Sequence, residues 1–373
     1  MKRTFFTLML LGLGLGAAAQ ELQTLREYLE AGLERNYDIR IIRNEERISD
    51  NNATAANAGK LPTIDLSAGY TGRLDNDRTT PRGGDPVTEN GIYNQTFDVG
   101  LAVNWTLFDG FRIRAEYAKL EELKAKGALQ TRLTIEEFIA SFTAEYYNFV
   151  QQKLRLGNYL YAMALSRERL RIAEEWYRVG SSARLDVLQA RVDFNADSSQ
   201  YMSQQEAVTA SRIRLNELLA NEELDRKLNV RDSLIAIDAD LEWERLMTRT
   251  RETNASLLLA DRDNTISELE LESIRSRNYP YLKLQAGYGY THNRYGGGAN
   301  RSNGTLGLNA GVQVGFTIFD GNRRREQRNA RIGIENTRLT RMQLEQSLMA
   351  DLATFWQAYR NLSLIHISEP TRP

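Results

Sequence analysis

Val103-Asn104-Trp105-Thr106-Leu107-Phe108-Asp109-Gly110 returns downstream as Val314-Gly315-Phe316-Thr317-Ile318-Phe319-Asp320-Gly321. Each copy closes a run of strict alternation. Phe97, Val99, Leu101, Val103, Trp105 and Leu107 share one parity in the first, and Leu306, Leu308, Ala310, Val312, Val314, Phe316 and Ile318 in the second. A period of two is the signature of a strand. The intervening positions hold Thr96, Asp98, Gly100, Asn104 and Thr106, and Thr305, Asn309, Gln313 and Thr317, so one face of each strand is wet. Directly after each Phe-Asp-Gly the pattern turns basic and helical, with Arg112 and Arg114 in one copy and Arg323, Arg324 and Arg325 in the other.

Two further alternating runs precede these: Ile64, Leu66, Ala68 and Tyr70, and Leu282, Leu284, Ala286, Tyr288 and Tyr290. The predicted strands are 62–74, 95–108, 280–292 and 304–319. They are joined in pairs by segments rich in Gly, Asn, Asp, Arg and Thr, Leu74 to Asn94 and His292 to Asn303, which read as solvated hairpin loops. Asn36 and Asn254, Pro62 and Pro280, and Ala68-Gly69-Tyr70 and Ala286-Gly287-Tyr288 are each separated by 218 positions, and the two Phe-Asp-Gly phrases by 211. One offset over several separated landmarks implies a tandem duplication of a helix, strand, strand, helix unit, with a period too long for a solenoid. The first unit covers 20–240 and the second 241–362.

Helical patterns fill the rest. A short helix from Leu25 to about Arg35 and a second from Asp38 to about Ala58 are separated by Asn36, and Leu61-Pro62 ends the run. Leu257 to Arg277 is the downstream counterpart of the second helix. From 111 to 177 no proline interrupts a helix with Ile135, Ile139, Phe142, Tyr146 and Phe149 at helical spacing. Such a helix would reach about 100 Å, which predicts an elongated molecule. Gly180-Ser181-Ser182 breaks it, and a returning helix over 183–221 is polar on most sides, as expected of an element with helices or water all around it.

Composition narrows the function classes. Net charge is −1 and the basic residues are spread, which gives no reason to propose a nucleic-acid partner. With Cys 0 there is no disulfide, thiol chemistry or thiolate metal site, and with His 2 there is almost no material for a His-based centre. Low proline (6) and a mean hydropathy of −0.50 favour long helices over several ordinary domains. Glu45/Glu46, Glu121/Glu122 and Glu136/Glu137 occupy adjacent helix positions, which do not face each other, so they read as surface charge and not as a general acid and base. No phosphate loop, nucleophile elbow or metal spacing occurs, no cofactor is implied, and an enzyme is the weakest option.

Residues 1–19 read as a secretory signal: Lys2 and Arg3, an apolar run from Phe5 to Leu15, then Ala17-Ala18-Ala19. An N-terminal anchor helix is the alternative. The strand lengths suit a tilted bilayer crossing with lipid on the apolar face, and Tyr70, Trp105, Phe108, Tyr288, Phe316 and Phe319 fall where an aromatic girdle would lie. A soluble sheet with one buried face alternates in the same way. Four strands cannot close a barrel, so several chains must each contribute.

The duplicated strand pair with its two Phe-Asp-Gly corners resembles the TolC-like outer-membrane efflux family. So do the Asn36/Pro62 and Asn254/Pro280 landmarks, and Tyr177-x-x-Gly180 followed by Leu185-Asp186-Val187-Leu188-x-Ala190. The resemblance implies a mixed α/β membrane protein in which three chains each give four strands to a twelve-stranded barrel, continued by a long periplasmic helical barrel. It implies the cell outer membrane of a Gram-negative bacterium, outer-membrane lipid around the barrel, and no catalysis. The channel would be the passive outer component of a tripartite efflux or type I secretion system. Gly180, Leu185, Asp186, Val187 and Ala190 would form the tip where a periplasmic adaptor of an inner-membrane pump docks. The alternative from another class is a periplasmic coiled-coil scaffold or adaptor.

Asp109-Gly110 and Asp320-Gly321 are expected to make the strand-to-helix turns and not to act in transport directly. Asp186 either caps the returning helix or meets the adaptor. Arg112, Arg114 and Arg323 to Arg325 either meet lipid phosphates or form a solvated face. Phe355 and Tyr359-Arg360-Asn361 match Phe142 and Tyr146-Tyr147-Asn148 at an offset of 213, so a second long helix begins on schedule. SLIHISEPTRP, 363–373, breaks its pattern and is expected to be a non-native tail, with on the order of 70 residues of the native chain to follow. Those residues would carry the second tip and the helix where this family often keeps acidic gate residues.

Overall fold

In chain order the elements are α1 (Leu25–Arg35), α2 (Tyr37–Asn52), β1 (Thr63–Thr79), β2 (Val87–Asp109), α3 (Arg112–Arg178), α4 (Arg184–Leu218), α5 (Trp243–Thr253), α6 (Ala255–Arg275), β3 (Tyr281–Arg294), β4 (Ser302–Gly315) and α7 (Gly321–Ser368). This computed structural model describes residues 24–231, 241–297 and 300–368. The signal segment read over 1–19 and the last residues of the tail, 369–373, lie outside the described residues. The chain divides into two compact units, residues 1–42 with 134–240 and residues 43–133 with 241–373.

In the first unit Asn36 ends α1 and starts α2. Its ψ of 131° stops one helix, while its Oδ1 accepts from the amides of Asp38 (2.9 Å) and Ile39 (3.2 Å) and caps the next. Its Nδ2 donates to the Leu218 carbonyl at 2.9 Å, tying the α1–α2 junction to the end of α4. Around this junction a core of Tyr28, Ile39, Phe138, Phe142, Tyr146, Phe149, Val150, Leu215, Leu219 and Leu228 is buried, with Ile135 packed at its margin. Ile139, expected on the same stripe, is exposed, and Phe138 takes the inner position. Phe138, Phe142 and Tyr146 follow one another at four-residue steps, with successive ring centroids 5.7 and 6.5 Å apart.

The returning helix α4 is held to α3 by Gln204 Nε2 donating to Gln152 Oε1 (2.6 Å), by an Arg191–Glu174 ion pair (2.9 Å), and by Arg167 over the Phe194 ring. It ends at Leu218, short of the expected 221, because Ala220 takes a left-handed φ of 51° and Asn221 N–H turns back to the Asn216 carbonyl.

The second unit holds one antiparallel sheet in the order β1-β2-β3-β4. Thr63 faces Asn104 at the foot of the first hairpin and Tyr281 faces Gly315 at the foot of the second. These residues are related by the same offsets of 218 and 211, so the two hairpins share one register. Both hairpins extend further than the alternation predicts. β1 runs on to Thr79 and β2 starts at Val87, leaving only 80–86 as the connection, and β3 and β4 leave 295–301. The polar segments 74–79 and 87–94 are therefore ladder, not loop. Backbone pairing propagates without any apolar face once a hairpin is in register, and it continues here past a bulge between Asp75 and Asp77.

α2 stops at Asn52 instead of Ala58, because Asn57 Nδ2 donates to the Asn52 carbonyl and Thr54 Oγ1 accepts from Asn57 N–H, diverting the backbone into turns. β4 stops at Gly315, four residues before the predicted end. α7 runs through Ser368, so the first residues of the expected tail continue the helix and do not break it.

In the same unit, helices line up by ion pairs. α2 meets α3 through Asp50–Lys124 (2.6 Å), α3 meets α6 through Lys119–Glu270 (2.8 Å) and Glu122–Arg262 (2.9 Å), and α6 meets α7 through Glu268–Arg338 (2.7 Å). Each such pair is worth less than about 1 kcal/mol, so they set lateral order more than stability. Asn254 repeats the device of Asn36, capping α6 by accepting from Ser256 (3.0 Å) and Leu257 (3.3 Å) after ending α5.

Candidate channel wall and hairpin tip

The register divides the sheet into two faces. Ile64–Val103, Leu66–Leu101, Ala68–Val99 and Tyr70–Phe97 pair on one, continued by Leu101–Tyr288, Trp105–Leu284, Leu284–Val312 and Tyr288–Leu308. Their side chains are largely exposed, so the apolar residues form a surface and not a core. The opposite face holds a cavity of about 360 Å³ whose lining includes the polar residues Ser67, Asp98, Asn104, Gln285, Thr291 and Asn309. Gly100 and Gly289 face each other there, and a Cβ on either would lie 3.1 Å from the other's Cα. That face is lined by small and hydrogen-bonding groups.

Of the expected girdle, Trp105 and Phe108 stand at the end of the sheet next to the helices, with Trp105 Nε1 donating to the Lys60 carbonyl (3.1 Å). Tyr70 and Tyr288 stand within the ladder and not at its end, because the strands outrun the amphiphilic stretch. The apolar face adds Tyr290, on the alternating run but outside the expected girdle, and Tyr93, which lies in a stretch whose sequence reads as loop. Phe316 and Phe319 lie outside any strand and are exposed.

The two Phe-Asp-Gly corners differ. At the first, a bulge at Leu107 precedes the last two ladder pairs, Phe108–Leu282 and Asp109–Tyr281, and then Gly110 adopts φ 68° and Phe111 φ 73°. A Cβ on Gly110 would meet the Ser276 carbonyl oxygen at 2.2 Å, so both backbone and space require glycine. Asp109 accepts from Ile113 N–H (3.1 Å) and pairs with Arg112 (3.0 Å), which secures the first turn of α3. The Phe111 ring meets Phe108 and Tyr279 edge-on, at 5.2 and 5.9 Å. At the second corner Gly321 is the first helical residue, Asp320 Oδ1 accepts from Asn322 N–H (3.0 Å), and Arg323 donates to the carbonyls of Arg277 (2.7 Å) and Thr317 (3.3 Å). Both aspartates are turn-makers. Arg112 and Arg323 are engaged by the protein, while Arg114, Arg324 and Arg325 are exposed.

In the other unit, α3 turns into α4 within five residues. Gly180 takes φ 79°, its N–H meets the Tyr177 carbonyl (3.0 Å), and Ser181 N–H meets that of Trp176 (2.9 Å). Asp186 accepts from Ser182 Oγ (2.7 Å) and from Ala183 N–H (3.1 Å), so its carboxylate caps α4. Those two donors, the serine hydroxyl first, hold its carboxyl below the usual carboxylate range. Val187 is buried and anchors the turn, Ala190 is half-buried, and Leu185 projects with 73% exposure. Leu188, Val179 and Trp176 add exposed apolar surface around it. Among the described residues no helix is long and apolar enough to cross a membrane and no His, Cys, Asp or Glu cluster could hold a metal ion.

An antiparallel sheet of long strands with one oily and one wet face, handing over to long helices, has the build of a channel wall. The chain belongs to the outer membrane efflux protein family, whose model matches residues 17–221. That family consists of conduits without catalytic function, and it assigns the chain to the outer membrane. Solved structures share the fold. A membrane protein from Pseudomonas aeruginosa superposes with a TM-score of 0.75 at 14% identity, covering 92% of this chain and 79% of that one. The CmeC outer membrane channel of Campylobacter jejuni gives 0.71 at 15%, covering 87% and 68%. The outer membrane protein VceC of Vibrio cholerae gives 0.69 at 16%, covering 90% and 79%. No curated protein sequence matches the chain.

Proposed function

We propose that the chain is one subunit of a trimeric outer-membrane channel, in which three four-stranded sheets close a twelve-stranded barrel that carries solutes or polypeptides outward. The observation that carries this reading is the sheet itself, with an exposed apolar face, a polar opposite face and two strands that border no other. Eight strands are about the fewest that close with a filled interior, so four need copies. On β2 the apolar face runs from Tyr93 to Trp105, twelve residue steps. At ~3.4 Å per residue and a tilt of ~40° that spans about 31 Å, matching the hydrocarbon thickness. Transport by such a wall is passive: polar side chains on the inner face lower the cost of hydrated passage, and the energy comes from an inner-membrane pump.

The hairpin tip of Gly180, Leu185, Asp186, Val187 and Ala190 is the adaptor-docking end of this tripartite assembly, facing the periplasm. Its exposed Leu185 beside a closed, capped turn supports that role, since an apolar side chain held on a rigid turn is a ready anchor for a partner. Fractionation with planar-bilayer recording tests the reading. The expected result is recovery with outer membranes, a trimer that dissociates on heating, and ion conductance. Recovery of intact protein as a soluble monomer that does not bind bilayers would overturn it.

A further inference from the structure

Where β2 hands over to α3, two cavities flank the left-handed Phe111. The first, about 410 Å³, lies against Trp105 and Leu107 of the apolar row, and its lining includes Lys60, Arg114 and Tyr117. The second, about 450 Å³, shares Arg114 but also holds Glu272 and Arg275. Both are of the size that small-ligand sites have. Several basic residues around the two corners are already engaged: Arg112 with Asp109, Arg277 with Glu326 (2.6 Å), and Arg323 with two carbonyls. Lys60 and Arg114 differ. Neither has a carboxylate partner among the described residues, and Lys60 Nζ rests 5.3 Å from the Tyr117 ring centroid. The Lys60 carbonyl accepts from Trp105 Nε1, which fixes the root of its side chain at the cavity. Asp109, the one carboxylate in that lining, is paired with Arg112, so the first cavity keeps two uncompensated positive charges.

We propose that the first cavity takes the headgroup of an anionic phospholipid from the periplasmic leaflet, with Lys60 and Arg114 reaching its phosphodiester. This rests on the channel reading above and deepens it by naming one lipid site on the wall. The apolar span of β2, about 31 Å, ends at Trp105, so the cavity begins where hydrocarbon gives way to lipid phosphates. Tryptophan and tyrosine favour that depth, and Trp105 and Tyr117 both line the cavity. A guanidinium and an ammonium without an anion of their own are what a phosphodiester completes, while Trp105 and Leu107 give the glycerol and the first methylenes an apolar wall. The second cavity suits an anion less, because Glu272 would face it. Phe111 adds to the case. It is an exposed aromatic at φ 73°, a costly backbone state of the kind that clusters at ligand sites, and it lines the same cavity.

The second repeat lacks these walls. Arg325 stands 211 positions after Arg114, but Asn278, Asn322 and Arg328 occupy the places of Lys60, Phe111 and Tyr117. That corner has basic residues without the lysine and without the two aromatic rings. A general attraction of basic side chains to an anionic surface would treat Arg114 and Arg325 alike. A built site distinguishes them.

The full chain, purified from outer membranes in detergent, is titrated with dioleoylphosphatidylglycerol, and bound lipid is read by native mass spectrometry. Lys60→Ala with Arg114→Ala removes two cation–phosphate contacts and is expected to weaken uptake by about tenfold or more, while Arg325→Ala stays within about twofold of wild type. Lys60→Gln with Arg114→Gln replaces the alanine pair should that variant fail to assemble. Excess inorganic phosphate is expected to leave uptake unchanged, because the free anion gains nothing from Trp105 and Leu107. An unaltered double variant, or an equal loss in Arg325→Ala, overturns the site in favour of a diffuse basic belt. Displacement of the lipid by inorganic phosphate overturns the lipid assignment in favour of a free-anion site. A wild-type trimer that conducts ions yet takes up no phosphatidylglycerol overturns the site and leaves the channel reading intact. Recovery of wild type as a soluble monomer overturns the channel reading, and the lipid site with it.

Discussion

Replacing Asn36 with alanine is expected to cost far more than the same change at Asn254, although sequence offers the two as equivalents. Both residues cap a helix through Oδ1, and loss of such a cap costs about 0.5–2 kcal/mol, typically ~1. Asn36 is 6% exposed and its Nδ2 also donates to the Leu218 carbonyl at 2.9 Å. Leaving that carbonyl without its donor adds about 1–3 kcal/mol. Asn254 is half-buried and makes the cap alone. The expected losses are therefore about 2–4 kcal/mol for Asn36→Ala and ~1 kcal/mol for Asn254→Ala. Hydrogen exchange read by mass spectrometry resolves the difference, because every ~1.4 kcal/mol is tenfold in protection. Peptides covering 37–42 and 212–219 in Asn36→Ala are expected to lose protection by about 30-fold to several hundred-fold, and peptides covering 255–260 in Asn254→Ala by about fivefold. Asn36→Asp keeps the acceptor but not the donor, and is expected to fall between wild type and alanine. Equal losses at the two sites would refute the reasoning, since the bond to Leu218 would then contribute nothing.

Gly110→Ala places a Cβ 2.2 Å from the Ser276 carbonyl oxygen at φ 68° and is expected to lose more than about 3 kcal/mol, read as rapid proteolysis around 276–279. Ala220→Gly relieves a left-handed alanine at φ 51° and is expected to stabilise α4 by about 1 kcal/mol, read as a higher thermal midpoint in far-ultraviolet circular dichroism. Asp186 has a depressed folded pKa, so its cap is fully present above the unfolded carboxylate value near ~3.9 and is lost as pH falls through the folded value. Exchange protection of 184–188, corrected for intrinsic rate, is expected to be flat between pH 7 and pH 5, to fall only below the ordinary carboxylate range, and to be pH-independent in Asp186→Ala. Phe142→Ala, at a 1% exposed position in the aromatic core, is expected to cost about 3–5 kcal/mol, read as loss of protection in 135–150.

What the sequence makes legible follows the range of the forces involved. Alternation along Ile64 to Tyr70 or Leu306 to Val314 is local, because each side chain's partition between oil and water depends on its own chemistry, and the faces emerged as expected. The landmarks Asn36 and Asn254 were legible for the same reason, since a cap is a contact within three residues. Strand ends were not legible. Asp75 to Thr79 and Val87 to Asn94 carry no strand-like pattern and are ordered by the ladder that precedes them. Glu122, read as surface charge, finds Arg262 on another helix, and the choice of Phe138 over Ile139 for the core depends on where α1 and α4 lie. At the tip, Gly180 and Asp186 could be singled out, but only the hydrogen bonds from Ser182 and Ala183 show that the carboxylate closes the turn.

The repeated Phe-Asp-Gly phrase shows how far local sequence reaches. In both copies the aspartate accepts from a backbone amide of the helix that follows, so this bond belongs to the phrase itself. The left-handed turn at Gly110 and Phe111 does not, because Gly321 and Asn322 are already helical. A bulky residue at positive φ is costly by about 1–2 kcal/mol, and it persists at Phe111 because the ring is seated against Phe108 and Tyr279. That seat exists only because β2 pairs with β3 down to Asp109–Tyr281 and brings Tyr279 alongside. The second copy has Asn322 where Phe111 stands, so it offers no ring for such a seat, and it lies at the open edge of the sheet. The left-handed corner thus depends on the strand paired beside it and on the residue after the phrase, and the copy with both Phe111 and a neighbouring strand is the one that adopts it.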